Sequence, residues 1–139
     1  NPRLWQEYEK SKAYMKARHR TSGIKPEPLK PSFVALEPLL AGCFVPDREL
    51  NEVVLVHGCR KDAAESIMKN GFDVTRAGSA NGSLYGRGLY FAQEPCKADQ
   101  YTQPPVRHML IVRVLLGDCA YRKAADDGHS PPMRGNGRG

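Results

Sequence analysis

Several features that would announce a function outright are missing from this 139-residue chain. No apolar run approaches the roughly 20 residues that a membrane-spanning helix needs, and no signal-peptide pattern opens the sequence. This predicts no membrane partner. Only four cysteines are present, Cys43, Cys59, Cys96 and Cys119, and none forms a C-x-x-C pair. Their scatter spells neither a zinc motif nor a redox motif, so no metal is expected. They read as reduced thiols of a cytoplasmic or nuclear protein. No Gly-Lys-Ser/Thr follows the glycine-rich stretch, which excludes a phosphate loop. The same glycines precede a strand instead of joining a strand to a helix, which excludes a dinucleotide fingerprint of the Rossmann type. No internal repeat is visible.

What is present is an ordinary globular composition, 40% hydrophobic and 26% charged, sufficient for one domain. The net charge of +6 is unevenly placed. Residues 1–31 hold eight Lys/Arg against three Glu, whereas residues 32–139 are nearly balanced. The basicity thus belongs to the N-terminal segment, as a nucleic-acid-binding face or simply a solvated helix face. The chain opens on Asn1 and closes on a Pro/Gly-rich stretch, Pro131 to Gly139. It reads as a piece of a longer chain.

Apolar spacing predicts a helix over residues 3–18, with Leu4, Trp5, Tyr8 and Met15 near one face and Lys10, Lys12, Lys16 and Arg18 largely on others. Trp5 and Tyr8 are expected to be packing anchors. Thr21 to Ser32, with three prolines, reads as a linker or long surface loop. Phe33 to Phe44 reads as a short helix or an irregular core-covering segment. Glu52 to Gly58 is a strand whose nearly continuous apolar character predicts burial on both faces. Asp62 is expected to cap a helix over 63–70, with Glu65 completing a capping box, Ile67 and Met68 inward, and Gly71 as the stop. Thr75 to Gly88 is a glycine-rich loop, Leu89 to Gln93 a strand, and 96–102 a short helix ended by Pro104-Pro105. Arg107 to Gly117 is the strongest strand signal, with little room for a solvent face. The pattern lacks a regular strand–helix–strand rhythm and predicts an α+β fold with a mostly antiparallel sheet. The expected organisation is a basic helix and linker over 1–32, a core over 33–121 and a flexible tail over 122–139.

The chemistry concentrates in two stretches. One is Val53-Val54-Leu55-Val56-His57-Gly58. The other is Gly86-Arg87-Gly88-Leu89-Tyr90-Phe91-Ala92, followed by Lys97-Ala98-Asp99-Gln100-Tyr101. Two tyrosines can sandwich a flat cationic ring, glycine backbone can reach a carboxamide, and a neutral histidine can donate to a ribose hydroxyl. Cleaving nicotinamide from the ribose of NAD needs those functions, because the leaving group departs neutral and the barrier lies in an oxocarbenium-like sugar. Singly each signal is weak; their order is specific.

That order resembles the catalytic domain of the poly(ADP-ribose) polymerase (PARP) family of ADP-ribosyltransferases, with Gly71-Phe72-Asp73 and Lys97 to Tyr101 similar to tankyrase-like forms. The resemblance runs from Leu50 through Asp118 and extends loosely to Asn1-Pro2-x-Leu4-Trp5-x-x-Tyr8. It implies an ADP-ribosyltransferase-like split antiparallel sheet with short helices, binding NAD as substrate and transferring ADP-ribose to protein acceptors with release of nicotinamide. His57 and Tyr90 would be the catalytic residues. His57 would hold the adenosine- or nicotinamide-side ribose, Gly58 the carboxamide, and Tyr90 and Tyr101 would flank the ring. The loop Thr75–Tyr85 would cover the dinucleotide.

Three departures accompany the resemblance. Cys59 stands where the family usually has Ser or Thr, and Ala98 where a serine hydroxyl commonly bonds the carboxamide. The strand carrying the family's third motif does not appear, so the domain reads as C-terminally incomplete. Neither Glu94, Asp126 nor Asp127 sits on a matching motif. The alternatives to a transferase are an inactive NAD- or ADP-ribose-binding module, a truncated enzyme fragment, an NAD glycohydrolase, and a basic nucleic-acid-binding domain.

Overall fold

The strand on which the described fold centres is β1, Glu52–Cys59. A computed structural model describes residues 1–30, 45–76 and 88–121. In chain order the elements are α1 (Pro2–Ser22), β1, α2 (Lys61–Asn70), α3 (Pro95–Ala98) and β2 (His108–Leu115), with 3-10 turns at Arg48–Leu50, Val74–Arg76 and Asp99–Tyr101. The chain divides into two compact units, Asn1–Gly71 with Phe91–Cys119, and Phe72–Tyr90 with Ala120–Gly139. In the second unit, the turn Val74–Arg76 is opened by Asp73, whose Oδ1 accepts from the Thr75 amide at 2.9 Å.

β1 pairs antiparallel with β2 along its whole length, from Glu52 opposite Leu115 to Cys59 opposite His108. Among the described residues its other edge is met at one point, where Val56 and Ala92 exchange two backbone hydrogen bonds of 2.8 Å. With both edges engaged, every residue of β1 except half-exposed His57 is buried, as the apolar run predicts. Val53 and Leu55 form the core, and Leu29, Phe91, Val114 and Leu116 pack against it. Each such buried aliphatic side chain contributes about 1.5–3 kcal/mol. The observed α+β, antiparallel arrangement is the fold class the sequence implies.

The start of β1 and the end of β2 are tied by a polar clasp. Asn51 sits at φ +50°, a left-handed conformation that asparagine tolerates. Its buried amide donates to the carbonyls of Gly117 and Glu27, each at 2.8 Å. The Leu116 and Gly117 amides donate back to Asn51 and Leu50.

α1 docks on this unit through one stripe. The Leu4 side chain reaches Gly71, Tyr8 and Lys12 reach Glu52, and Met15 reaches Gly117. The spacing 4, 8, 12, 15 is one helical face. Lys12, expected away from the apolar residues, therefore lies among them, drawn in by a carboxylate. Trp5 stays half-exposed, its ring stacked on Tyr8 at 6.0 Å. The helix runs to Ser22 and ends at Gly23, past the expected stop. Asn1 caps it and donates to the Met68 and Lys69 carbonyls, joining its start to the end of α2.

Other expectations are corrected. Leu89–Gln93 is not a strand: only Ala92 pairs, because the chain turns into α3 at Pro95. β2 does not lack a solvent face, since Ile111 is 65% exposed and no residue of the strand is fully buried. Among the described residues only β1 pairs with it. α2 begins at Lys61, one residue after Arg60, so Asp62 falls inside the first turn and pairs with Arg60 at 3.2 Å instead of capping. Met68 is exposed; the inner line of α2 runs through buried Ala64 and half-buried Ile67 to Gly71, whose missing side chain admits Leu4. Gly71 is the helix stop, as expected. The segment Phe33–Phe44, residues 77–87 of the glycine-rich loop, the tail 122–139 and the boundary after residue 32 lie outside the described residues.

Candidate active site

The two ends of β1 are chemically different. Glu52 and His57 are five residues apart, so their side chains leave opposite faces of the strand, about 17 Å apart along it.

At the first end, the Glu52 carboxylate is fully buried and fully engaged. It accepts from the Tyr8 hydroxyl at 2.6 Å, the Asp47 amide at 3.0 Å and the Lys12 ammonium at 3.2 Å, with the Arg113 guanidinium at 3.5 Å. Burial works to raise its pKa. The hydrogen bonds from Tyr8, Asp47 and Lys12 and the Lys12 charge outweigh it and hold the carboxyl below the usual glutamate range. The same burial, with the Glu52 carboxylate beside it, pushes the Tyr8 phenol far above its ordinary value. Arg113 also lies 4.8 Å from the Trp5 ring centroid and 5.7 Å from that of Tyr8. One strand residue thus anchors a helix 40 and more residues away. Beside it, Lys16 binds Asp47 at 2.6 Å, which lowers the Asp47 carboxyl.

At the second end, α3 and the turn after it press on the strand. Gly58 is required there by packing: a Cβ would collide with the Ala98 carbonyl oxygen and stand 3.2 Å from Thr102 Cγ2. Backbone meets backbone where any side chain would separate the elements. The turn is held by Thr102, whose hydroxyl donates to the Asp99 carbonyl at 2.7 Å and accepts from Arg107 at 3.0 Å. Arg107 also pairs with the Asp99 carboxylate at 3.2 Å. Tyr101, half-exposed, ends this turn.

His57 is half-buried, its ring centroid 5.5 Å from that of Phe91 at an interplanar angle of 54°. Phe91 is in turn fixed by the core beneath it and by the Val56–Ala92 bridge beside it. Cys59 is buried, and burial, with the Asp62 charge, pushes its thiol up. It is a neutral small side chain and not an activated nucleophile. Ala98 is 2% exposed, a buried methyl without the hydroxyl that the resemblance leads one to expect.

The structure thus brings Gly58 and Ala98 together, with His57 and Cys59 on either side of Gly58 and Tyr101 on the turn that packs against it. Tyr90 is half-buried and belongs to the second unit. Among the described residues no three His, Cys, Asp or Glu side chains converge as metal ligands. Sequence reasoning missed three contributors. Phe91 was visible as the neighbour of Tyr90 but not as the ring beside His57. Thr102 was visible only as the residue after Tyr101. Glu52 looked like the polar start of an apolar strand.

Comparison with known proteins gives a consistent picture. The model of the poly(ADP-ribose) polymerase catalytic domain matches residues 5–135. Protein mono-ADP-ribosyltransferase PARP10 of Mus musculus is 34% identical over 63% of this chain. Poly [ADP-ribose] polymerase tankyrase of Caenorhabditis elegans is 35% identical over 48%, and protein mono-ADP-ribosyltransferase PARP14 of Homo sapiens is 28% identical over 84%. The chain spans 9%, 3% and 5% of the lengths of these relatives, respectively.

Proposed function

Because the chain belongs to the poly(ADP-ribose) polymerase catalytic domain family, we propose that it binds NAD at the His57–Gly58 end of β1 and transfers ADP-ribose to a protein acceptor. In that reaction the bond between the nicotinamide nitrogen and the ribose C1′ breaks, and its electron pair stays on nicotinamide, which leaves neutral. An acceptor oxygen or nitrogen bonds to C1′ and gives up its proton. His57 fixes a ribose through a hydrogen bond, the Gly58 backbone holds the carboxamide, and Tyr101 stacks on the ring. Fixing the sugar while it acquires oxocarbenium character is the larger part of the task.

The observation that supports this reading best is the backbone contact of Gly58 with Ala98. It sets the strand end that carries His57 directly against the segment that carries Tyr101. A second reading, an NAD-binding module without turnover, is favoured by the buried Ala98 methyl, which offers nicotinamide no hydroxyl. A typical hydrogen bond contributes only about 1 kcal/mol net, so binding survives its loss.

Intact mass after incubation with NAD tests the proposal. The expected result is a mass gain in units of ADP-ribose on the chain or an added acceptor protein, absent for His57→Ala. Thermal stabilisation by NAD without mass gain or nicotinamide release supports the second reading. Nicotinamide release without mass gain indicates hydrolysis.

A further inference from the structure

Between residues 10 and 25 the chain carries six Lys/Arg and no Asp/Glu. Three of these cations are committed: Lys12 to Glu52, Lys16 to Asp47 and Lys25 to Glu49. Lys10, Arg18 and Arg20 have no carboxylate partner among the described residues. On α1, positions 10, 14 and 18 follow one another at four-residue intervals, away from the stripe of Leu4, Tyr8, Lys12 and Met15 that docks the helix. Arg20 lies about 120° round the helix from Tyr14, off this face.

Tyr14 stands in the middle of this face, 65% exposed, with the Arg18 guanidinium 5.9 Å from its ring centroid. An open depression of about 410 Å³ runs along Tyr14, Ala17, Arg18, Thr21 and Ser22. Packing does not account for the ring's position, because the docking stripe lies elsewhere on the helix.

The combination selects a partner. Uncompensated cations attract a polyanion, and an exposed aromatic ring beside an arginine is a platform for a flat base. A lipid surface would need a broad apolar stripe on this face, and Tyr14 is its one large apolar side chain. An acidic peptide would satisfy the cations and leave the ring unused. We propose that the outward face of α1, through Lys10, Tyr14 and Arg18, binds single-stranded nucleic acid, with a base stacked on Tyr14 and phosphates on the two cations. The inference does not depend on NAD binding.

The test is fluorescence anisotropy of a labelled 15-nucleotide oligo(dA) titrated with the full chain between 50 and 200 mM salt. Two phosphate contacts give a slope of log K against log salt of about −1.4, and Arg18→Gln makes it shallower by about 0.7. Tyr14→Ala weakens binding roughly tenfold with an unchanged melting temperature. Binding that Tyr14→Ala leaves intact, or that inorganic polyphosphate displaces at equal phosphate concentration, overturns the stacking platform. So does stronger binding to phosphatidylserine vesicles than to the oligonucleotide. No binding at 50 mM salt overturns the proposal altogether.

Discussion

The two ends of β1 solve opposite problems on one eight-residue strand. At Glu52 a charge is fully buried and held by three hydrogen bonds and two cations. At His57 and Gly58 the packing is made by backbone and apolar groups, and the histidine is left half-exposed. The first end spends polar groups on holding a helix; the second leaves its histidine half-exposed at the proposed NAD site. The comparison teaches that a buried carboxylate is not by itself a catalytic one. Glu52 has the altered ionisation often sought in active sites, yet it is explained by burial, the docking of α1 and the Asp47 amide.

Breaking the comparison from either side has graded consequences. The largest is expected from Gly58→Val, because its new methyls meet the Ala98 carbonyl, which belongs to a helix backbone and cannot swing aside. A loss of about 3 kcal/mol or more, read as the shift in urea midpoint, is expected, together with loss of any NAD response. Glu52→Gln removes the charge that Lys12 and Arg113 share. Breaking a buried pair costs about 3–5 kcal/mol, and the lower end applies because both cations still reach some water.

The acid limb of stability carries the same signature. The folded carboxyls of Glu52 and Asp47 lie below their unfolded values, so their contribution is complete above about pH 4 and fades as pH falls through the folded values. Denaturant midpoints from pH 7 down to pH 3 should decline less steeply for Glu52→Gln than for the parent chain. Tyr8→Phe, which removes one donor to Glu52 while keeping the ring, is expected to cost about 1–2 kcal/mol in the same titration. The smallest stability effect, under about 1 kcal/mol, belongs to His57→Ala, since the ring touches Phe91 but is not part of the buried core.

How much of this was readable beforehand follows from which forces are local. β1 was legible because a continuous run of β-branched residues means a strand engaged on both sides. The helix stop at Gly71 was legible because it depends on backbone conformation alone. β2 was legible as a strand but not in its exposure: apolar content does not say which edge of a sheet a strand occupies. The Glu52 cluster was not legible, because its partners come from positions 8, 12, 47 and 113 and only the fold brings them together. For the candidate site, the residue types and order pointed to His57, Gly58 and Tyr101. That Gly58 is demanded by the Ala98 carbonyl, and that Phe91 abuts His57, depends on how α3 and the preceding segment pack on β1.

The most direct test of the division of labour along β1 is thermal unfolding of the parent chain, Tyr8→Phe and His57→Ala, each with and without saturating NAD. A ligand that binds only the folded state raises stability by RT ln(1 + [L]/Kd). The account predicts that Tyr8→Phe lowers the melting temperature without NAD yet keeps the full NAD-induced rise. It predicts that His57→Ala melts like the parent and loses that rise. A His57→Ala protein that melts early but still responds fully to NAD would contradict it.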